Sequence, residues 1–380
     1  MRIGMFSNAY RPVISGVVRS INLYRQGLMA AGHFVGLFAP EGRNYEDAEP
    51  FIFRYPALPI PAGMDWALPV VVAPQITWLL PRLKLDIIHS HHPLIVGSEA
   101  LNFSRSLGIP MVFTFHTVYH EYGAYLGFEA EIVKEMVRRM VGDYVRKADR
   151  VIVPSSYVRD LLPSYHIMVE PDILPTPIDL DRFPPRARPP LSNPDHIQLL
   201  YVGRLAREKN LGFLLRAFAL AHRQDPRLHL RLVGDGPDMD RLQKLAAELD
   251  VAAVVDFAGP CPFERVPVEM GQADLFAFTS VTETQGLVVL EAMAAGLPVV
   301  LVECQSLFDC VRPGIDCVVS PRQEEAFAAA LLSLARDPQR AQALARVARD
   351  RAEAFAVPAL TERLLDIYHL TIAAHRGRQP

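Results

Sequence analysis

Short apolar runs recur along this chain, each ending in a turn and each separated from the next by helical periodicity. Ile3 to Ser7 is the first, followed by a loop from Tyr10 to Gly16 that contains Pro12. Val17 to Ala31 then has helical spacing, with Val17, Ile21, Tyr24 and Leu28 on one face. Gly32 ends that helix, and His33 to Ala39 returns as a strand. Strand, helix, strand in this order makes a parallel pair with a right-handed crossover. Asp86–Ser90, Met111–His116 and Arg150–Pro154 repeat the pattern. The first half of the chain therefore reads as a doubly wound α/β domain.

Residues 184–194 break the rhythm, with five prolines in eleven positions. Such a stretch is neither helix nor central strand and reads as a linker. A second series follows. Strands are expected at Gln198–Gly203, Leu228–Gly234, Val254–Ala258, Asp274–Thr279 and Leu297–Leu301. Helices are expected at Asp238–Leu249 and Gly286–Ala295, with closing helices from Glu324 to about His375. The architecture predicted is two doubly wound Rossmann-like domains in series, with ligand at the strand C-terminal ends facing a cleft.

A length of 380 residues suits two domains. Half of the residues are apolar and the net charge is -3, so no global basic field favours nucleic acid. Met1 to Phe6 enters strand-like sequence directly, which points to a cytoplasmic protein. The most apolar stretch, Trp66 to Leu80, is interrupted by Pro69, Pro74 and Gln75 and is too short to span a bilayer. Cys261, Cys304, Cys310 and Cys317 lack paired spacing and read as reduced thiols rather than a metal site.

The motif that carries most chemistry runs from Glu283 to Glu291, two carboxylates eight positions apart. Glu283 precedes a helix and Glu291 sits in its second turn. Gly286 and Leu287 offer backbone N–H groups at the helix start, where a diphosphate is favoured. The carboxylates on either side accept hydrogen bonds from hydroxyls, Glu283 from a sugar ring and Glu291 from a ribose. Gly203-Arg204-Leu205-Ala206-Arg207-Glu208-Lys209 follows a strand and places two cations, Arg204 and Lys209, at the sheet lip.

Other signals weigh less. Gly234 and Gly236 suggest a dinucleotide loop, but Met239 stands where the third glycine belongs, which disfavours a nicotinamide dehydrogenase. His89-Ser90-His91-His92 resembles a metal cluster, but reads better as a strand-end loop; Asp179-Leu180-Asp181 reads the same way. His116 ends a buried strand and is placed to donate to a sugar hydroxyl or a carbonyl. Residues 129–150 form an amphipathic helix with Lys134, Arg138, Arg139, Arg146, Lys147 and Arg150. Ile132, Val133, Met136, Val137, Met140 and Val141 supply its apolar face. That helix either packs with a solvated basic face or docks on anionic lipid.

Together these residues resemble the retaining glycosyltransferases of the two-domain GT-B type that carry a Glu-seven-residues-Glu motif. The resemblance spans nearly the whole chain. It is carried by the Gly16 loop, Asp86–His89, Phe113–Thr117, Leu174–Asp179, Gly203-Arg204, Lys209, Gly234 and Glu283–Glu291. Phe6–Pro12, Gly16–Ile21, His116–Tyr125 and Thr282–Leu287 are similar to lipid-glycosylating members. Diacylglycerol glucosyltransferases look closest, then phosphatidylinositol mannosyltransferases.

The resemblance implies a hexosyltransferase that moves a sugar, UDP-glucose being the expected donor, to a lipid acceptor, diacylglycerol. The Gly16 backbone approaches the donor phosphate, and Arg204 and Lys209 bind the diphosphate. The loop around Cys261 contacts the base. Glu283 holds the donor sugar, while Gly286, Leu287, Val288 and Glu291 line the phosphate and ribose. His116 sits beside the transferred sugar, and Tyr10, Thr117 and Tyr119 look toward the acceptor. His116 and Glu283 are the catalytic candidates. No metal or cofactor is required. The domains implied are 1–187 and 195–359, with the helix 360–380 returning onto the first. The enzyme is expected on the inner face of the membrane, held reversibly by anionic lipid.

Three departures stand out: Ser15 before Gly16, Phe34 where relatives have Glu, and no glycine in Glu303–Leu307. A soluble-acceptor transferase and a non-catalytic nucleotide-sugar-binding protein are the rival readings.

Overall fold

A computed structural model describes residues 1–42, 44–59, 67–119, 131–184, 191–193 and 195–378. The chain divides into two compact units, Met1–Pro177 with Val357–Pro380, and Ile178–Ala356. The crossing at Pro177 precedes the proline-rich segment, of which residues 185–190 and 194 lie outside the described residues. His120 to Tyr125, part of the lipid-enzyme resemblance, lie outside them too.

The first unit carries β1 (Arg2–Phe6), β2 (Phe34–Pro40), β3 (Ile52–Tyr55), a ribbon of β4 (Ala57–Pro59) with β5 (Ala67–Pro69), β6 (Ile87–Ser90), β7 (Met111–Thr114), β8 (Arg150–Val153) and β9 (Asp172–Ile173). Its parallel sheet has the order β3-β2-β1-β6-β7-β8-β9, so the order reverses between β1 and β6. Phe6 is level with Ser90, and Ser90 with Phe113. The residues just beyond these ends, Ser7, His91 and His116, therefore collect at one edge, the usual ligand-binding edge of such sheets. The strands β3, β4, β5 and β9 are absent from the sequence reading: β4, β5 and β9 have only two or three residues, and β3, as long as β6, β7 and β8, is half-buried where those are buried apolar runs.

The helix Gly16–Ala30 begins where Ser15 accepts a hydrogen bond from the Val18 N–H. Its inner face, including Val18, Ile21 and Leu28, is buried on the sheet. Phe6 stacks on Phe38, and Phe38 on Phe53, at 4.5 and 5.0 Å between ring centroids. The last helix, Val357–Arg376, packs against Gly16–Ala30. A Cβ at Gly27 would stand 2.1 Å from Thr361 Oγ1, so a larger residue there would separate the two helices. The closing helices expected from Glu324 to about His375 are three. Glu324–Ala335 and Pro338–Glu353 belong to the second unit and Val357–Arg376 to the first.

The second unit carries β10 (Ile197–Val202), β11 (Leu228–Val233), β12 (Val255–Gly259), β13 (Leu275–Phe278), β14 (Val299–Val302) and β15 (Val318–Ser320). The order β12-β11-β10-β13-β14-β15 reverses between β10 and β13. Leu200 is level with Phe276. The loops that follow β10 and β13 thus leave the sheet side by side. The helix Leu287–Ala294 follows β13, and residues Val289 to Ala294 are buried. A helix this apolar is buried almost all round, and Glu291 is its single charged residue.

Candidate active site

In the second unit, the loop after β10 is pinned from below. Tyr201 is buried, and its hydroxyl donates to the Arg204 carbonyl at 3.2 Å. Burial first, then the nearby Glu283 and Glu208 carboxylates, push this phenol well above its ordinary range, so it remains a donor. Gly234 crosses beneath with φ +139, and a Cβ there would lie 1.9 Å from the Gly203 carbonyl. Gly234 is therefore required for backbone-on-backbone packing. Arg204 is exposed, and its side chain forms no ion pair among the described residues.

The 3-10 turn Arg207–Lys209 is stapled to the loop after β13. Thr279 Oγ1 donates to the Lys209 carbonyl at 3.0 Å, and Ser280 Oγ and Thr282 Oγ1 donate to the Glu208 carbonyl at 3.3 and 3.4 Å. Between the stapled loops Lys209 Nζ meets Glu283 Oε1 at 2.6 Å. Three residues on, Gly286 adopts φ +71, a left-handed conformation that places Leu307 Cδ2 only 2.3 Å from where a Cβ would sit. The helix it opens has no side-chain cap. Leu287 and Val288 are half-buried at its start, and Glu291 is 2% exposed in its second turn. A free cation, a paired cation and carboxylate, and an uncapped helix start thus share one sheet edge. That combination suits an anion with hydroxyl groups attached. Cys261 lies apart from this pair, half-buried in the loop after β12. Burial and then Glu269 raise its thiol, which is therefore protonated.

In the first unit Gly16 is exposed at the head of its helix. His116 is half-buried, and its Nε2 stands 3.0 Å from His91 Nδ1. His89 is buried between Tyr368 Oη and Thr114 Oγ1, each at 2.7 Å. Burial lowers the pKa of His89 to about 3 and of His92 to about 4. His91 and His116 are also held well below the ordinary imidazole range, by burial first and then by the neighbouring rings. The histidine run, expected as a strand-end loop, does lie at the end of β6, and there its His91 supports His116. Thr117 and Tyr119 are half-buried, and the Tyr119 ring packs edge-on against Phe115 at 5.4 Å.

Tyr10 is corrected. It is 2% exposed, its hydroxyl is bonded to the Asn22 amide, and burial followed by Glu49 raises its pKa to about 12. It is a core residue, because the loop after β1 folds inward beneath Arg11 and Arg54. The sequence reading missed this because a tyrosine in a loop has no periodicity to reveal which way it faces.

The helix Glu131–Val145 also differs from expectation. Arg138 binds Glu131 at 2.8 Å, Arg139 binds Glu135 at 2.8 Å, and Arg146 binds Asp143. The free basic face expected of it is largely neutralised by its own carboxylates. Of the six basic residues expected on this segment, Lys147 alone carries no ion pair among the described residues. The apolar face is split. Val137 and Val141 pack inward, while Ile132, Met136 and Met140 are 81%, 60% and 40% exposed. Among the described residues no helix is long and apolar enough to cross a membrane.

The two parallel-sheet Rossmann-like units have the GT-B fold of glycosyltransferases. The family comparison agrees. Residues 185–351 match the model for glycosyl transferases group 1, and residues 14–182 match that for glycosyltransferase family 4. An alpha-monoglucosyldiacylglycerol synthase from Streptococcus pneumoniae is 32% identical over 79% of this chain and 70% of its own. One from Acholeplasma laidlawii is 30% identical over 86% of each. The sucrose-phosphate synthase of Thermosynechococcus elongatus superposes with a TM-score of 0.78 at 23% identity, covering 98% of this chain and 99% of its own. The chain belongs to the group 1 glycosyltransferase family.

Proposed function

We propose that the protein transfers glucose, with retention, from UDP-glucose to the free hydroxyl of diacylglycerol. The observation that carries this is the Lys209–Glu283 pair beside the helix start at Gly286. A nucleotide sugar exchanges that pair for two better matches. Its diphosphate takes Lys209, Arg204 and the N–H groups of Leu287 and Val288, and its sugar hydroxyls donate to Glu283. Glu291 is assigned to the ribose and the Cys261 loop to the base. Gly16 and His116 in the first unit are assigned to the phosphate and the transferred sugar, and Thr117 and Tyr119 to the acceptor side.

The acceptor hydroxyl attacks on the face that the nucleotide leaves. The C1–oxygen bond to the diphosphate breaks as the new glycosidic bond forms, and the acceptor proton passes to the departing phosphate oxygen. Stabilising that departing charge is the main catalytic task, and fixed donors and cations perform it without reorganising. No protein nucleophile and no metal enter this scheme.

The lipid acceptor is supported by the synthase names of two relatives and by the outward stripe of Ile132, Met136 and Met140. Residues four apart on a helix lie on one face, so the stripe can enter the acyl boundary of a bilayer while Arg139 and Lys147 meet anionic headgroups. The protein is thus read as peripheral on the inner face of the cell membrane. The test offers the purified chain radiolabelled UDP-glucose, UDP-galactose and GDP-mannose with diacylglycerol vesicles, phosphatidylinositol vesicles or soluble sugars. Glucose label in the lipid extract, in α linkage by NMR, is expected. Label only in a soluble product would replace the lipid reading by a soluble-acceptor transferase.

A further inference from the structure

His91 is 1% exposed and lies between two other imidazoles, 4.1 Å from the His89 ring and 5.3 Å from the His116 ring. Its Nδ1 is bonded to His116 Nε2 at 3.0 Å. Its other nitrogen, Nε2, is buried and meets no hydrogen-bond partner among the described residues; the same is true of Ser20 Oγ on the helix Gly16–Ala30. Ser20 is also 1% exposed. Both residues line one cavity in the first unit, together with Tyr24, Thr114, His116 and Thr176. The volume open to a water's centre is about 10 Å³, the scale of a single water. Buried polar groups are normally satisfied, and a polar cavity of this size satisfies them with water.

We propose that one water bridges Ser20 Oγ and His91 Nε2 in this cavity, and that through the His91–His116 bond this relay keeps the proton of His116 on Nδ1. Both rings are neutral, since burial and the adjacent imidazoles disfavour a charge on either. Only one proton then lies between His91 Nδ1 and His116 Nε2. If the water donates to His91 Nε2, that nitrogen is the bare one and the His91 proton sits on Nδ1. His91 then donates to His116 Nε2, which must be bare in turn. The His116 proton is left on Nδ1, as the tautomer of a histidine is set by the bond its other nitrogen makes. An Nδ1–H can donate to a sugar or phosphate oxygen, and phosphate oxygens only accept. His91 and Ser20 are thus positioning residues that act through His116. The benefit to transfer rests on the reading of His116 as the group that meets the donor; the relay itself does not.

The experiment is a long-range 1H–15N NMR correlation on the full chain labelled with 15N-histidine, His116 being assigned by its loss in His116→Gln. The expected result is Nδ1–H at His116 in the wild type. His91→Phe, which keeps the ring volume, and Ser20→Ala should both move the signal toward Nε2–H, while Ser20→Thr retains the wild-type tautomer. Ser20→Ala is the milder variant and serves if His91→Phe does not fold. An Nε2–H tautomer in the wild type overturns the proposal, as does a tautomer indifferent to both variants. Turnover of UDP-glucose with diacylglycerol vesicles is read in parallel. A fall in kcat of roughly 10- to 100-fold, the scale of a misplaced catalytic contact, with donor KM unchanged is expected. A tautomer that moves while kcat does not would leave the relay standing and remove His116 from the reaction.

Discussion

Lys209 and Glu283 are 74 residues apart in sequence and their side chains meet at 2.6 Å, both partly buried. The pair holds the two loops of the switch point in register before any ligand arrives. Each partner is also one that a nucleotide sugar would claim. Substituting Glu283 should therefore separate sugar chemistry from nucleotide binding. Glu283→Gln is expected to lower turnover at least about a hundredfold, the scale of one transition-state contact. UDP affinity by calorimetry should be kept or slightly raised, because Lys209 is released. Near-normal turnover would remove Glu283 from the site.

Arg204 has no competing ion pair among the described residues, so its whole charge is open to a phosphate. Arg204→Ala is expected to cost roughly 1.5–3 kcal/mol in UDP binding, the usual worth of a charge-assisted hydrogen bond. Uridine, lacking the diphosphate, should bind almost as before. Equal weakening of both would show that Arg204 does not contact the phosphates.

The apolar stripe should matter more to membrane binding than the basic residues, whose charges are mostly spent on Glu131, Glu135 and Asp143. Full burial of an aliphatic side chain contributes about 1.5–3 kcal/mol. Ile132→Ser, Met136→Ser and Met140→Ser combined are expected to abolish sedimentation with phosphatidylglycerol vesicles. Arg139→Ser with Lys147→Ser should reduce it only at low salt. A triple variant that still sediments like the wild type would rule out this helix as the contact.

Acid should unfold the first unit through its buried imidazoles. His89 and His92 stay neutral down to about 3 and about 4, whereas an unfolded chain protonates them near pH 6.5. Below about pH 6.5 the unfolded state binds more protons, so stability is complete above that pH and falls as the pH drops toward 4. Urea unfolding midpoints at pH 7.5, 6 and 5 are expected to decline, and to decline less steeply in His89→Gln. An identical slope in that variant would exclude His89 from the linkage.

The parallel α/β class, the two series of strands and the helix after Glu283 were all legible in the sequence, because each rests on local periodicity and on residues adjacent in the chain. The approximate places of Arg204, Lys209, Glu283 and Glu291 followed for the same reason: a residue just past a strand end lies at the sheet lip whatever the rest of the fold does. The strands β4, β5 and β9 escaped that logic for want of length, and β3 because it is half-buried and lacks the continuous apolar run of β6, β7 and β8. What tertiary structure alone decided is which groups are already engaged. Local pattern cannot show that Lys209 meets Glu283, that Tyr10 turns into the core, or that His91 stands behind His116. Nor can it show which half of the apolar face on Glu131–Val145 packs inward and which is left outside. Those outcomes depend on partners tens to hundreds of positions away, such as Tyr368, which reaches His89 across 279 residues. Only the folded sheet brings such partners within hydrogen-bonding distance.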